Sequence, residues 1–297
     1  MSEASIQALS ASGKLPAAVA VLGSSGMLGR AMCIELRSRG YEITEFTRRD
    51  IDLADPRSVS DAPRCETLFN CAAWTNVDGA EADEGAATQV NGHAIQQLLK
   101  LDKVGTLVTF GTDYVFDGQG KSPYDVSHPR SPLNAYGRSK AAGEESLELF
   151  DDDRWLHVRT SWLYAPWGNN FVLTMRKLMQ ERERLQVVND QRGRPTSVEH
   201  LARTTLDLFE CGKRGHWHAT DGGECTWFEF AQEIKRLTGA PATIEPCTSD
   251  QFPRPAKRPA YSVLDLSQTE AELGPMPHWK DNLADVLRRV PEGITHA

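Results

Sequence analysis

The stretch AAVAVLGSSGMLGR, residues 17–30, decides the fold of this 297-residue chain. Its first part, Ala17 to Leu22, is a run of small apolar residues without polar alternation, which is typical of a parallel strand buried on both faces. Glycines follow at once, and apolar residues then recur at helical spacing over Met27 to Arg39. The stretch therefore predicts a strand, a tight turn and a helix.

The glycine turn GSSGMLG, residues 23–29, predicts a dinucleotide site. Its glycines allow a tight turn and close approach of the backbone to a pyrophosphate, and the start of the helix offers free N–H groups to the anion. An ordinary turn is the alternative, but a position after the first strand of an α/β chain favours cofactor binding. The candidate contacts in this turn are Gly23, Ser25, Gly26, Met27 and Leu28.

The end of the second predicted strand, Tyr41 to Phe46, indicates which cofactor is used. No Asp or Glu stands there to hold the ribose 2′-hydroxyl of NAD, and Arg48 lies about where an arginine accommodates the 2′-phosphate of NADP. A solvated turn with two surface arginines is the alternative. The sequence favours NADPH, with NADH as a second donor to be tested.

Apolar strand patterns alternate with helical patterns through the first half of the chain. Strands are predicted at Thr67 to Cys71, Gly105 to Phe110 and Leu156 to Leu163, and helices at Ala86 to Lys100 and Ala135 to Leu149. This alternation predicts an α/β fold with a doubly wound parallel sheet of the Rossmann type.

After Tyr164 the pattern changes, and a smaller, discontinuous C-terminal substrate lobe is expected. A helix is predicted from Phe171 to Glu183, the apolar run LQVV follows, and Pro and Trp become frequent from Gly215 onward. The helical pattern Ser197 to Phe209 predicts a return to the sheet. The predicted divisions are a loose tail at 1–16, a dinucleotide-binding domain at 17–164 and about 191–220, and a substrate lobe at about 165–190 and 221–290.

Charge, hydropathy and cysteine pattern limit the class of partner. With 33 Lys and Arg against 41 Asp and Glu, the net charge is −8, which argues against a dedicated nucleic-acid binder. The longest apolar runs fall well short of the roughly 20 residues of a membrane helix, and the first sixteen residues lack a secretory pattern. The six cysteines include no CxxC pair, which predicts reduced core residues in a cytoplasmic protein.

A catalytic pair is predicted within YGRSK, residues 136–140. Tyr136 and Lys140 are four residues apart at the start of a predicted helix and so share one face. A phenol titrates at about 10, so proton exchange near neutrality needs a neighbouring cation, which Lys140 supplies by lowering the phenol pKa. Thr112, at the carboxyl edge of the sheet, is placed to hydrogen-bond the reacting oxygen. The alternative for Tyr136 and Lys140 is a solvated helix surface. The alternative for Thr112 is a polar strand end that precedes an Asp-Gly turn.

Eight motifs occur in the order of one known family. They are GSSGMLG (23–29), NCAAWTNVDGAE (70–81), TDYVFDG (112–118), YGRSKAAGE (136–144), RTSWLY (159–164), GNNF (168–171), NDQRGRPT (189–196) and RPAYSVLD (258–265). From Val19 to about Leu264 the chain resembles the dTDP-4-dehydrorhamnose reductase family of the extended short-chain dehydrogenase/reductase superfamily. It departs from the family pattern at Gly111, where Ser is usual, at Trp74, where Tyr is usual, and at 125–128, where acidic residues are common.

The resemblance implies an NADPH-dependent oxidoreductase of nucleotide-sugar and cell-surface polysaccharide biosynthesis. The implied reaction is reduction of the C4 keto group of a dTDP-4-keto-6-deoxyhexose, from dTDP-4-dehydrorhamnose to dTDP-L-rhamnose. The implied catalytic residues are Thr112, Tyr136 and Lys140, with Lys140 also on the nicotinamide ribose. The resemblance further implies Asp52, Leu53, Ala72 and Ala73 on the cofactor side and Thr75, Val77, Tyr114, Trp162 and Asn170 on the sugar side. Trp162 could equally be a core aromatic, and Asn170 could equally be a turn former.

Two further clusters are candidate sites. Arg254, Lys257 and Arg258 flank prolines, and Arg258 is a candidate for the substrate diphosphate because guanidinium groups suit phosphate; plain solubility is the alternative. His216 and His218 point to one face of a predicted strand. A structural role is favoured over a metal site there, because no nearby carboxylate or Cys completes a ligand set, and no metal is expected.

Two other functions fit parts of the pattern. An epimerase or dehydratase of the same superfamily would retain NAD, and Arg48 argues against it. A non-catalytic NADP-binding regulatory subunit, similar to the one that accompanies methionine adenosyltransferase, would not need an intact set of Thr112, Tyr136 and Lys140. The nucleobase, the product epimer and the oligomeric state stay open, with a homodimer as one candidate assembly.

Overall fold

Within residues 19–290, the range that the computed structural model describes, six parallel strands form one central sheet. The tail predicted at 1–16 lies outside the described residues. The strands are β1 Val19–Leu22, β2 Ile43–Phe46, β3 Cys65–Asn70, β4 Val104–Thr112, β5 Trp155–Thr160, β6 Leu163–Tyr164, β7 Arg184–Val188, β8 Arg192–Gly193, β9 Thr196–Ser197, β10 Gly215–His218, β11 Cys225–Thr226 and β12 Thr243–Cys247. The sheet order is β10-β5-β4-β3-β1-β2, which reverses beside β1 as a doubly wound sheet does. The predicted fold class is confirmed.

Helices cover both faces of this sheet. They are α1 Met27–Ser38, α2 Pro56–Ser60, α3 Val77–Ala82, α4 Glu84–Thr88, α5 Ala94–Lys100, α6 Ala135–Leu147, α7 Phe171–Glu181, α8 Val198–Glu210, α9 Trp227–Thr238, α10 Ser267–Leu273 and α11 Trp279–Arg289. Across residues 19–290, none of the helices has both the length and the apolar character needed to cross a membrane.

The unbroken apolar run of β1 is explained by burial on both sides. Val19 and Val21 pack in a cluster with α1 and α8, whereas Ala20 and Leu22 pack in the opposite cluster with α5. All four residues are at most 3% exposed. Complete burial of a Val or Leu side chain stabilises a fold by about 1.5–3 kcal/mol, so β1 anchors both layers and fixes the turn that follows it.

The helix predicted from Ala86 to Lys100 is interrupted in the structure. A π-helical turn, Gln89–His93, separates α4 from α5. This turn packs closely on α6, where Asn91 donates to the Ser139 hydroxyl at 2.9 Å and where any Cβ at Gly143 would collide with the Asn91 carbonyl oxygen. The wider turn accommodates this approach, which helical periodicity does not reveal.

The strand predicted from Leu156 to Leu163 is also shorter than expected. β5 ends at Thr160, and Trp162 then takes a φ of 49°, the single positive φ of a non-glycine residue between 19 and 290. After this residue the chain leaves the central sheet, and β6 pairs with β9. The remaining predicted elements differ from the observed ones by a few residues at their ends.

The second lobe has a core of its own. Side chains of α7, α9 and α11 form its hydrophobic cluster, and β12 pairs with β7 in a small parallel sheet. The segment between these parts returns to the main layer, since α8 packs on α1 and β10 pairs with β5. Trp227, the first residue of α9, lies in one cavity with Gly23 and Thr112 at the carboxyl ends of β1 and β4, so the lobe faces this edge of the central sheet.

Candidate active site

A cleft of about 840 Å³ runs along the carboxyl edge of the central sheet, between the two lobes. Most of the predicted site residues line it: Gly23, Ser25, Gly26, Met27, Leu28, Arg48, Asp52, Leu53, Ala72, Ala73, Thr75, Val77, Thr112, Tyr114, Tyr136, Lys140 and Trp162. Asn170 and Arg258 are not part of its lining. The fold thus brings one set of distant sequence motifs into a single cleft.

The glycine turn is shaped to receive an anion. Gly23 has a φ of 71°, and a Cβ there would lie 2.8 Å from the Ala72 backbone nitrogen, so both its conformation and its close contact require glycine. Gly26 precedes α1 without a side-chain cap, which leaves the N–H groups of the first helical turn unsatisfied by the protein's side chains. Such a helix start binds phosphate through these groups and the helix dipole.

Arg48 lies at the mouth of the same end of the cleft. Its side chain is 81% exposed, and its Nε is 3.3 Å from Asp52 Oδ2. An exposed ion pair of this kind contributes little free energy. The Arg48 guanidinium can therefore leave Asp52 and form an ion pair with a phosphate group that binds beside it.

The three predicted catalytic residues meet in the middle of the cleft. Thr112 ends β4, and Tyr136 and Lys140 lie on the first turns of α6, which begins after Asn134. The Thr112 hydroxyl contacts that of Tyr136. Lys140 Nζ donates to the Phe110 carbonyl oxygen at 2.8 Å, which holds the ammonium group beside the strand.

Burial sets the protonation of this group. Lys140 is expected to lower the pKa of Tyr136, but burial raises that pKa to about 12, with the Thr112 hydrogen bond opposing and the Asp113 charge adding to the rise. Burial also lowers the pKa of Lys140 to about 8, while Glu144 opposes that change. The reason is desolvation of both groups in a closed protein environment. Tyr136 is therefore fully protonated near neutrality, as a proton donor must be.

Aromatic side chains form the other end of the cleft. Trp162 stacks on Trp227 with ring centroids 3.6 Å apart, and a Cβ at Gly193 would lie 2.7 Å from the Trp162 ring. Tyr114 packs edge-on against Tyr136, with ring centroids 5.9 Å apart. Trp227 was not identified from the sequence, because it belongs to no motif and reaches the cleft only through the fold of the second lobe.

The two predicted residues outside the cleft lining have other contacts. Asn170 is 8% exposed and caps α7, where its Oδ1 accepts from the Leu173 backbone N–H at 3.2 Å. Arg258 donates to Asp78, as does the Nε of Arg254 at 3.0 Å. The hydrogen bonds from Arg258 and, less strongly, from Arg254 hold the pKa of Asp78 well below its usual range. This ion cluster ties the second lobe to α3.

A buried ionic network lies behind Lys140. Glu144 accepts from the Arg159 guanidinium at 2.9 and 2.7 Å and from His157 at 3.2 Å. His216 approaches as well, so Glu144, His157 and His216 form a group with metal-ligand spacing. Of the pair His216 and His218 singled out in the sequence, only His216 belongs to this group; its other members are His157 on β5 and Glu144 on α6. A metal ion would have to displace the Arg159 cation from both oxygens of that carboxylate.

The parallel sheet, the glycine turn at a helix start and the Thr, Tyr and Lys side chains in one cleft define a class, the nucleotide-dependent oxidoreductases of the short-chain dehydrogenase/reductase type. Within it, the chain belongs to the RmlD substrate binding domain family, whose model matches residues 17–291.

Individual relatives agree with this assignment. The chain is 43% identical to a dTDP-4-keto-6-deoxy-D-glucose reductase from Streptomyces niveus, over 90% of this chain and 95% of that one. It is 40% identical to a dTDP-4-dehydrorhamnose reductase from Streptomyces griseus, over 89% and 91%. Among solved structures it is similar to dTDP-4-dehydrorhamnose reductase from Bacillus anthracis in complex with NADP, with a TM-score of 0.87, 33% identity and coverage of 92% and 99%.

Proposed function

We propose that this chain is an NADPH-dependent reductase of the C4 keto group of a dTDP-4-keto-6-deoxyhexose, converting dTDP-4-dehydrorhamnose to dTDP-L-rhamnose for polysaccharide biosynthesis. The main support is that one cleft is lined by the glycine turn and by Thr112, Tyr136 and Lys140. The names of the relatives support the sugar, and the NADP complex of the Bacillus anthracis protein supports the cofactor.

The cleft has the features that NADPH needs. Gly23 and Gly26 would hold the pyrophosphate against the uncapped start of α1, and Arg48 would face the 2′-phosphate. Lys140 would bind the nicotinamide ribose. When bound, NADPH supplies the hydride that reduces the carbonyl carbon.

The protein's own residues handle the carbonyl oxygen. Tyr136 donates its phenolic proton to that oxygen as the alcohol forms, and its high pKa keeps the proton available before reduction. The Lys140 cation stabilises the phenolate that is left, until a proton from water restores the phenol. The Thr112 hydroxyl holds the same oxygen in place.

The direct experiment measures loss of NADPH absorbance with a panel of 4-keto-6-deoxy nucleotide sugars. The proposal predicts oxidation of NADPH with the dTDP-linked 4-keto sugar, and proton NMR of the product assigns the C4 epimer. An epimerase would convert a nucleotide sugar without net NADPH oxidation, and a regulatory subunit would bind NADPH and oxidise none of it. Either result would replace the reductase proposal.

Location and assembly belong to the same proposal. The six cysteines are all free in the described structure, which supports a reducing compartment such as the cytoplasm. If the candidate homodimer forms, light scattering on the purified protein should give twice the chain mass of 32.9 kDa. A mass equal to that of one chain would contradict it.

Replacing Arg48 with Ala should weaken NADPH binding about 10- to 100-fold and leave NADH binding nearly unchanged. The charge-assisted contact to the 2′-phosphate is worth about 1.5–3 kcal/mol, and NADH has no such phosphate. Fluorescence titration measures both affinities. Arg49→Ala is the matched control, since Arg49 is the next residue and does not line the cleft. Equal weakening of both cofactors would show that Arg48 has another role.

Replacing Arg258 with Gln should raise KM for the nucleotide sugar several-fold without changing NADPH affinity. Arg258 contacts Tyr114, which lines the cleft, so its guanidinium is close enough to the sugar end to neutralise a diphosphate. Arg254→Gln is the comparison, because Arg254 shares Asp78 but is 51% exposed. Unchanged KM with a lower melting temperature would instead assign Arg258 to holding the lobe on α3.

A further inference from the structure

Asp113 follows directly after Thr112 and is a buried carboxyl group that the roles above do not use. It is 2% exposed, and its Oδ1 accepts a hydrogen bond from the Thr112 hydroxyl at 3.1 Å. Its Oδ2 has no hydrogen-bond partner among the described residues. Other buried acids differ, since Glu144 contacts Arg159 and Asp221 contacts His200, each at 2.7 Å.

This environment favours the neutral form of the acid. A carboxylate buried without a cation is costly, so such a group holds its proton to higher pH. Burial raises the pKa of Asp113 to about 7, although the neighbouring Ser262 and Thr112 hydroxyl groups oppose the rise. The titratable side chains that face it are Tyr114 and Tyr136, both neutral because their own pKa values are raised, and the Arg258 cation lies against Tyr114.

The hydrogen bonds of Thr112 depend on which form Asp113 takes. The Thr112 hydroxyl has one proton and two lone pairs, and one lone pair accepts from the Tyr114 backbone N–H at 3.3 Å. An ionised Asp113 takes the hydroxyl proton, because charged acceptors bind it most strongly. The Thr112 oxygen then offers only lone pairs to the substrate carbonyl oxygen, which repel it. A neutral Asp113 donates to the second lone pair and leaves the Thr112 proton free.

We infer that Asp113 is a positioning residue for the reduction: as a neutral acid it donates a hydrogen bond to Thr112 Oγ1 and so directs the Thr112 proton to the carbonyl oxygen of the sugar. The inference rests on the proposed function, since it requires a carbonyl substrate. Ionisation of Asp113 withdraws the Thr112 proton from the substrate. The turnover number therefore falls as the pH rises through about 7.

The experiment compares four proteins between pH 6 and 8: wild type, Asp113→Asn, Thr112→Ala and the double variant. With an acid that titrates at about 7, the wild-type kcat should fall about tenfold over this range. The Asn amide can turn its NH2 group toward Thr112 and cannot ionise. Asp113→Asn should therefore keep kcat near the wild-type value of pH 6, with only the about twofold decline by pH 8 that deprotonation of Lys140 causes, since the pKa of Lys140 is about 8.

Thr112→Ala tests whether Asp113 acts through the hydroxyl. Its kcat should be low and should lack the fall around pH 7, and adding Asp113→Asn should change nothing further. Melting temperature and NADPH affinity show whether each variant is folded. If Asp113→Asn does not fold, the wild-type and Thr112→Ala profiles still decide.

Deprotonation of Lys140 lowers kcat about twofold by pH 8 in all four proteins. Three outcomes would therefore overturn the inference: a wild-type fall no larger than this, a tenfold fall that persists in Asp113→Asn, or a tenfold fall that persists in Thr112→Ala. Failure of the proposed function is a different result, because the wild-type protein would then reduce no 4-keto nucleotide sugar at any pH.

Discussion

Replacing Tyr136 with Phe should lower kcat by about 10²- to 10⁴-fold, the usual contribution of a positioned acid, while NADPH binding stays close to that of the wild type. The reason is that the variant keeps the ring and its edge-on packing against Tyr114 but loses the proton that the carbonyl oxygen receives. Stopped-flow measurement of single-turnover NADPH oxidation with the 4-keto sugar gives the rate of the chemical step directly.

The control for this variant removes a phenol hydroxyl elsewhere. Tyr41 donates to Glu210 at 3.0 Å and does not line the cleft, so Tyr41→Phe should retain wild-type turnover. If Tyr136→Phe also turned over at the wild-type rate, another group would be the proton donor. Loss of NADPH binding in the variant would instead indicate a damaged cleft.

The central fold was predictable because its signals are local. A strand buried on both faces needs an unbroken apolar run, and the glycine turn needs residues without a Cβ, so the order of residues 17–30 shows both directly. The π-helical turn at Gln89–His93 was not predictable in this way, since its cause is the packing of Asn91 and Gly143 across two helices. A single sequence shows periodicity but not the distance between elements.

The same distinction applies to the candidate site: residues in local motifs could be predicted, and residues brought together from distant segments could not. Thr112, Tyr136 and Lys140 were found from spacing and from family resemblance, because their motif lies on one helix start and one strand end. Trp227 and the ionic group around Glu144 come together from segments far apart in the chain. The rise of the Tyr136 pKa by burial could not be predicted from the sequence, since the degree of burial depends on the packed structure rather than on the identity of neighbours.

Glu144 should be the most important of the buried charges for stability, and Glu144→Gln should lower the free energy of unfolding by about 3–5 kcal/mol. The carboxylate is fully buried and pairs with Arg159, which is 2% exposed. The substitution keeps the shape of the side chain but replaces the carboxylate with a neutral amide. The buried Arg159 cation then keeps uncharged acceptors, such as the Val126 carbonyl oxygen and His218, but loses its counter-ion. Urea unfolding followed by circular dichroism measures the loss.

Glu148→Gln is the matched control for this loss. Glu148 pairs with Arg130, which also contacts Glu144, but its side chain is 42% exposed. An exposed pair contributes about 0–1 kcal/mol, so this variant should be nearly as stable as the wild type. Equal losses in the two variants would show that Arg130, rather than Arg159, carries the stabilisation.

The dependence of stability on pH gives a second measure of the same group. Burial alone would raise the pKa of Glu144, but hydrogen bonds from Arg159 and His157 hold it well below the ordinary value of a glutamic acid. A depressed pKa contributes stability that is complete above the unfolded value and is lost as the pH falls toward the folded one. The wild-type protein should therefore lose stability steadily below about pH 4.5, whereas Glu144→Gln, already weakened, should lose less over the same interval. Parallel acid dependence in both proteins would mean that other carboxylates control acid unfolding and that Glu144 is not the dominant buried charge.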